Sequence, residues 1–153
     1  MGAAFFYHLT RSPLEVTLPV LLGKARSAGW RVCVRCSDAD RMEWLDQKLW
    51  LGPDEQFLPH GLAGGEYDAD QPVILTTDAA LPNKAVCLMA VDGADVSADE
   101  VNSLERVCVL FDGNDPTALE TARGQWKSLT EAGCAASYWS EEGGSWEKKA
   151  ESG

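Results

Sequence analysis

The groups in this 153-residue chain that could do chemistry are five cysteines, two histidines and 24 acidic side chains. Cys33 and Cys36 have the C-x-x-C spacing of a metal knuckle or a redox dithiol. They lie within Trp30–Cys36, whose alternation reads as a β-strand. Side chains three apart on a strand point to opposite faces, so both thiols cannot grip one ion without a turn. No glycine follows to make that turn, and Cys87, Cys108 and Cys134 are scattered singly. Buried, reduced thiols are the expectation.

Asp92 and Asp95 follow an apolar strand, at the sheet end where open α/β folds bind ligands. With His60, in the long irregular stretch 51–72, Asp92 would suit a degenerate α/β nucleotide-dependent hydrolase. The phosphate loops such an enzyme needs are missing. The first strand-to-helix turn, Leu9-Thr10-Arg11-Ser12-Pro13, has no glycine to admit a pyrophosphate, and no G-x-x-x-x-G-K-[ST] occurs. Gly61–Gly65 is glycine-rich but follows no strand and opens no clear helix. His8 ends an apolar strand and reads as structural. Neither a cofactor nor a metal is expected, and the chain reads as an α/β domain without an active site.

Two constellations suit recognition instead. Arg123 and Lys127 form an i, i+4 cation pair beside Trp126. A cationic spot next to an aromatic fits an acidic peptide or a terminal carboxylate. Trp44, Trp50 and Phe57 gather around the end of a helix and the loop after it. The stripe of that helix is already supplied by Met42, Leu45 and Leu49, which leaves Trp50 free to be a partner contact.

Periodicity predicts the strands and helices that carry these groups. Strands are predicted at Ala3–Leu9, Trp30–Cys36, Val73–Thr76, Ala85–Val91 and Val107–Phe111, with Ala135–Ser140 as a last, edge strand. The first helix carries Leu14, Leu18, Leu21, Leu22 and Ala25; Pro19 should kink it or move its start, and Gly29 closes it. Ser37-x-x-Asp40 resembles a capping box for the second, and Ser97-x-x-Glu100 caps a short third. Asp115-Pro116 opens the fourth, with Leu119, Ala122, Trp126 and Leu129 as its stripe and Gly133 as its end. Strands alternating with helices, and inner strands that are continuously apolar, predict an α/β fold. It is an open, mainly parallel sheet with helices on both faces. Residues 1–141 read as a single α/β domain and 142–153 as a loosely held C-terminal tail.

Apolar residues make up 45% and charged residues 24%, which excludes wholesale disorder. The formal charge is −11. Residues 1–60 balance seven basic against seven acidic groups, so the whole excess falls after residue 60. That charge argues against direct binding to a nucleic acid backbone. No apolar run approaches a membrane span, and the N-terminus does not read as a signal peptide, so a cytoplasmic protein is expected.

Seven short motifs then recur in an order that resembles a known family. They are Phe6-Tyr7-His8-Leu9, Leu49-Trp50 with Phe57-Leu58-Pro59-His60-Gly61, Pro72–Thr76, Phe111-Asp112-Gly113-Asn114, Gln125-Trp126-Lys127, Tyr138-Trp139 and Trp146–Ala150. The chain looks like the chi subunit of bacterial DNA polymerase III holoenzyme. The resemblance implies a Rossmann-like fold without a nucleotide-binding loop and a non-catalytic accessory protein of the clamp-loader assembly. It implies binding to the acidic, Phe-ended C-terminal tail of single-stranded DNA-binding protein. It also implies a small partner subunit, psi, that tethers chi to the clamp loader, and in some cases a helicase at an overlapping surface. Arg123, Trp126 and Lys127 match the family's tail-binding stretch; the basic residue one turn earlier is replaced by Leu119. Trp50 and Phe57, with His60 beside them, match the psi or helicase surface.

Overall fold

A computed structural model describes residues 3–10, 14–50, 61–62, 72–77, 85–140 and 146–152. Its strands are β1 (Ala3–Leu9), β2 (Val32–Arg35), β3 (Gly61–Leu62), β4 (Val73–Thr76), β5 (Cys87–Val91), β6 (Arg106–Asp112), β7 (Ala136–Ser140) and β8 (Glu147–Ser152). The helices are α1 (Leu14–Ser27), α2 (Ala39–Trp50), α3 (Ala98–Ser103) and α4 (Pro116–Glu131). One sheet contains every strand among the described residues, in the order β3-β4-β2-β5-β6-β1-β7-β8, and of these pairs only β7–β8 is antiparallel.

Alternate residues of each inner strand serve two separate cores. On one face Val32, Val34, Val73, Leu75, Met89, Val91 and Leu110 pack against Leu18, Leu22 and Ala25 of α1 and Leu45 of α2. On the other, Phe6, Cys33, Ile74, Leu88, Val107 and Val109 pack against Val101 of α3 and Ala122 and Leu129 of α4. Covering both faces is what makes these strands apolar at every position. The α/β fold expected from the sequence is the one observed.

Local signals account for most boundaries. Ser97 caps α3 in a full capping box with Glu100, and the Asp115 side chain accepts from Thr117 N (2.9 Å) and Ala118 N at the start of α4. Gly29 and Gly133 close α1 and α4 in the left-handed region, at φ 82° and 86°. Helix α1 runs through Pro19. The cap of α2 differs from expectation: Asp38, not Ser37, supplies it, its carboxylate accepting from Arg41 N at 2.8 Å. The chain enters this helix one residue later than the Ser37-x-x-Asp40 pattern suggests.

The C-terminal end is a larger correction. Residues 147–152, expected in a loosely held tail, form β8, which pairs with β7 and removes it from the sheet edge. Glu-Lys-Lys-Ala-Glu-Ser carries no apolar periodicity, in keeping with the exposure of 147–151 among the described residues; its lysines suit an exposed edge strand. Trp146 anchors the segment edge-on to Tyr7, with ring centroids 5.5 Å apart.

Candidate functional site

Helix α4 brings Arg123, Trp126 and Lys127 together. Its inner stripe (Leu119, Ala122, Trp126 and Leu129) packs on the β1/β6/β7 side of the sheet. Gln125 Nε2 donates to the carbonyl of Ala94, 2.9 Å away, and so ties α4 to the loop after β5. With those positions fixed, Arg123 and Lys127 are exposed and Trp126 is half-buried between them and the core. Neither cation is ion-paired with a described carboxylate, Glu120 and Glu131 included. Leu119, one turn earlier, turns its side chain toward the core rather than extending the cationic surface.

Beneath Trp126 lies an aromatic stack that sequence spacing does not reveal. Trp126 meets Phe6 of β1 at 5.4 Å and Tyr138 of β7 at 6.0 Å, both edge-to-face. The Tyr138 hydroxyl is 3.1 Å from Nδ1 of His8, whose ring stacks on Phe111 at 5.2 Å. His8 is buried, as its place at the end of an apolar strand predicts. Its far edge abuts Gly113, where a Cβ would come within 1.8 Å of the ring. The alternation along Ala136–Ser140 was the available signal for Tyr138: it points toward α4, while Trp139 points to the other face.

The sheet's carboxyl end carries two further hollows. At the switch point between β1 and β6, where α1 and α4 leave for opposite faces, a cavity of about 720 Å³ is bordered by Arg41, Asp92, Asp112 and Asp115. Its polar groups hold the turns together. Asp92, at a left-handed φ of 54°, receives Arg41 Nε at 3.0 Å and Nη2 at 3.2 Å. Asp112 accepts from Asn114 N (2.9 Å), and Asp115 caps α4. A second hollow, between β2 and α3, holds Arg35. This buried guanidinium, 5% exposed, donates to the Asp95 carbonyl (2.8 Å) and to both oxygens of Glu100 (2.9 and 2.6 Å). Burial pushes the Glu100 carboxyl up, but Arg35's hydrogen bond and charge outweigh it and hold the group below its usual value.

Cys33 and Cys36 fall into different cores on opposite faces, as strand alternation requires. Burial pushes each thiol up to about 12. No three His, Cys, Asp or Glu among the described residues are grouped to hold a metal ion.

The second expected surface is only partly in view. Trp44 is half-buried, with the Arg41 guanidinium 4.2 Å and the Lys48 ammonium 5.7 Å from its ring centre. Trp50 ends α2, but its side chain, like Phe57 and His60, lies outside the described residues. The hydrolase alternative therefore has Asp92 engaged with Arg41 and His60 outside the described residues.

Known proteins share this sequence pattern. The profile of the family described as DNA polymerase III chi subunit, HolC, matches residues 1–137. A Rickettsia prowazekii protein named probable DNA polymerase III subunit chi is 22% identical over 111 residues, which cover 69% of this chain and 67% of that one. The DNA polymerase III subunit chi of Pseudomonas aeruginosa is 42% identical over 55 residues, 36% of this chain and 37% of its own. That of Escherichia coli K12 is 46% identical over 37 residues, 24% of this chain and 25% of its own.

Proposed function

This chain belongs to the DNA polymerase III chi subunit family, and on that premise we propose that it is a non-catalytic adaptor. It links the acidic C-terminal tail of single-stranded DNA-binding protein to the clamp loader. One observation carries this reading: two exposed cations, neither paired with a carboxylate among the described residues, flank a half-buried tryptophan on α4. Asp side chains of the tail would pair with Arg123 and Lys127, and its terminal Phe would seat against Trp126 and the aromatic stack below.

The overall charge of −11 opposes the approach of an acidic tail. Specificity then rests on two local cations and an apolar contact rather than on the general field. The same field favours an adaptor that stays off DNA while its partner holds the strand. The contact is small, so micromolar affinity is expected, about −8 kcal/mol. Calorimetric titration with a synthetic tail peptide tests this: affinity should weaken as salt rises, and absence of binding at low salt would overturn it.

A separate surface around Trp50, Phe57 and His60 is proposed to hold psi, or a helicase, and through it the clamp loader. Trp50→Ala should abolish capture of that partner from native lysate while tail binding persists. Retention of both partners would refute the assignment. The protein would work in the cytoplasm; no helix among the described residues is long and apolar enough to cross a membrane.

A further inference from the structure

The opposite face of the sheet carries a groove that the tail-binding reading does not use. It has a volume of about 460 Å³ and runs beside α1. Val16 and Val20, one turn apart on α1, form its rim. They are 56% and 49% exposed, the only large apolar side chains so exposed among the described residues. Tyr7, Met89 and Cys108 line its interior, and Trp139 and Trp146 contribute from the β7–β8 side. Arg106 and Trp30 complete the lining.

The charge of this groove is the reverse of the chain's. The described residues lining it include two cations, Lys24 and Arg106, and no carboxylate, although acidic groups outnumber basic ones 24 to 13 overall. Lys24 continues the Val16–Val20 stripe by one more turn. Arg106 is held with its guanidinium 4.2 Å from the Phe5 ring centre and 5.3 Å from that of Trp30. Neither cation is ion-paired with a described carboxylate.

We infer that this groove docks an amphipathic helix of a partner protein, with apolar side chains on one face and carboxylates placed to meet Lys24 and Arg106. A helix fits better than an added strand because the groove lies on a sheet face beside α1, whereas strand addition needs an edge. That edge is β8, where Lys148 and Lys149 guard it. A second copy of this chain fits poorly. A two-fold contact through the groove would set Lys24 and Arg106 against the same cations of the other copy.

The test uses the full chain and a fluorescein-labelled 18-residue helix-forming peptide of Leu, Ala and Glu, with every Glu on one face. Anisotropy should show saturable binding, and amide NMR shifts should centre on Val16, Val20 and Trp146. Val20→Glu should weaken binding at least tenfold and Lys24→Glu at least threefold; both positions are exposed, and thermal melts confirm folding. The same peptide with Lys for Glu should bind at least tenfold more weakly, and Arg123→Ala should change nothing. Absence of binding, shifts confined to α4, or equal binding of the Lys peptide would overturn the inference. So would a concentration-dependent dimer that Val20→Glu disperses, which would give the groove to a second copy. Because Arg123→Ala reports only on the α4 site, failure here is distinguishable from failure of the tail-binding reading.

Discussion

Replacing Glu100 by Gln keeps the side chain's shape and removes its charge, taking from the buried Arg35 guanidinium the carboxylate that it binds at two points. Arg35 is 5% exposed and makes two of its bonds to this carboxylate, at 2.9 and 2.6 Å. Removing one partner of a buried pair costs about 3–5 kcal/mol. The Glu100 side chain retains 20% exposure, and Gln keeps one oxygen to accept a hydrogen bond, so the lower figure of about 2–3 kcal/mol is expected here. For a chain of this length that lowers Tm by about 4–12 °C. Thermal denaturation followed by circular dichroism at pH 7 measures it. The carboxyl is held below its unfolded value, so its stabilisation is present above that value, about pH 4.3, and lost as pH falls through the folded one. The gap between the two proteins should therefore narrow below about pH 4. A paired Arg35→Met, Glu100→Leu variant should recover part of the loss, because the guanidinium and the carboxylate that binds it then leave together. A Tm for Glu100→Gln within 1 °C of the parent (well under about 1 kcal/mol) would show that the Arg35–Glu100 contact does not stabilise the fold, as would a gap that widens in acid.

Other consequences follow from packing and burial. Gly113→Ala would drive a Cβ to 1.8 Å from the His8 ring, which Phe111 and Tyr138 hold in place; a loss of about 1–3 kcal/mol in urea unfolding is expected, and a neutral result would contradict the close approach. All five cysteines are buried as free thiols, and burial pushes Cys33 and Cys36 up to about 12. Iodoacetamide at pH 8 should then label the protein only in denaturant, and rapid labelling of the folded chain would count against that burial.

Much of this molecule is legible in its sequence because the signals are local. Ser97, Asp115, Gly29 and Gly133 each fix a helix end through bonds or dihedrals within a few residues. The strand parity of Cys33 and Cys36 likewise places them on opposite faces without further information. Arg123, Trp126 and Lys127 are neighbours by helical spacing alone. What escapes the sequence is long-range. The His8–Tyr138 bond joins residues 130 positions apart, and β8 becomes a strand only because β7 offers it an unpaired edge. The two-residue strand β3 is likewise set by its partner β4. Val16 and Val20 stand off the core stripe of α1, and only the assembled sheet shows that they border a groove.

Arg123 and Lys127 beside Trp126 are proposed to form a site for an acidic tail. Isothermal calorimetry of the tail peptide against the parent and Arg123→Ala tests it most directly. Arg123 is exposed and makes no described ion pair, so its loss should leave Tm unchanged. Affinity should fall roughly fivefold, the equivalent of about 1 kcal/mol for one charge-assisted contact. Equal affinity of the two proteins for the peptide would remove Arg123 from the tail site.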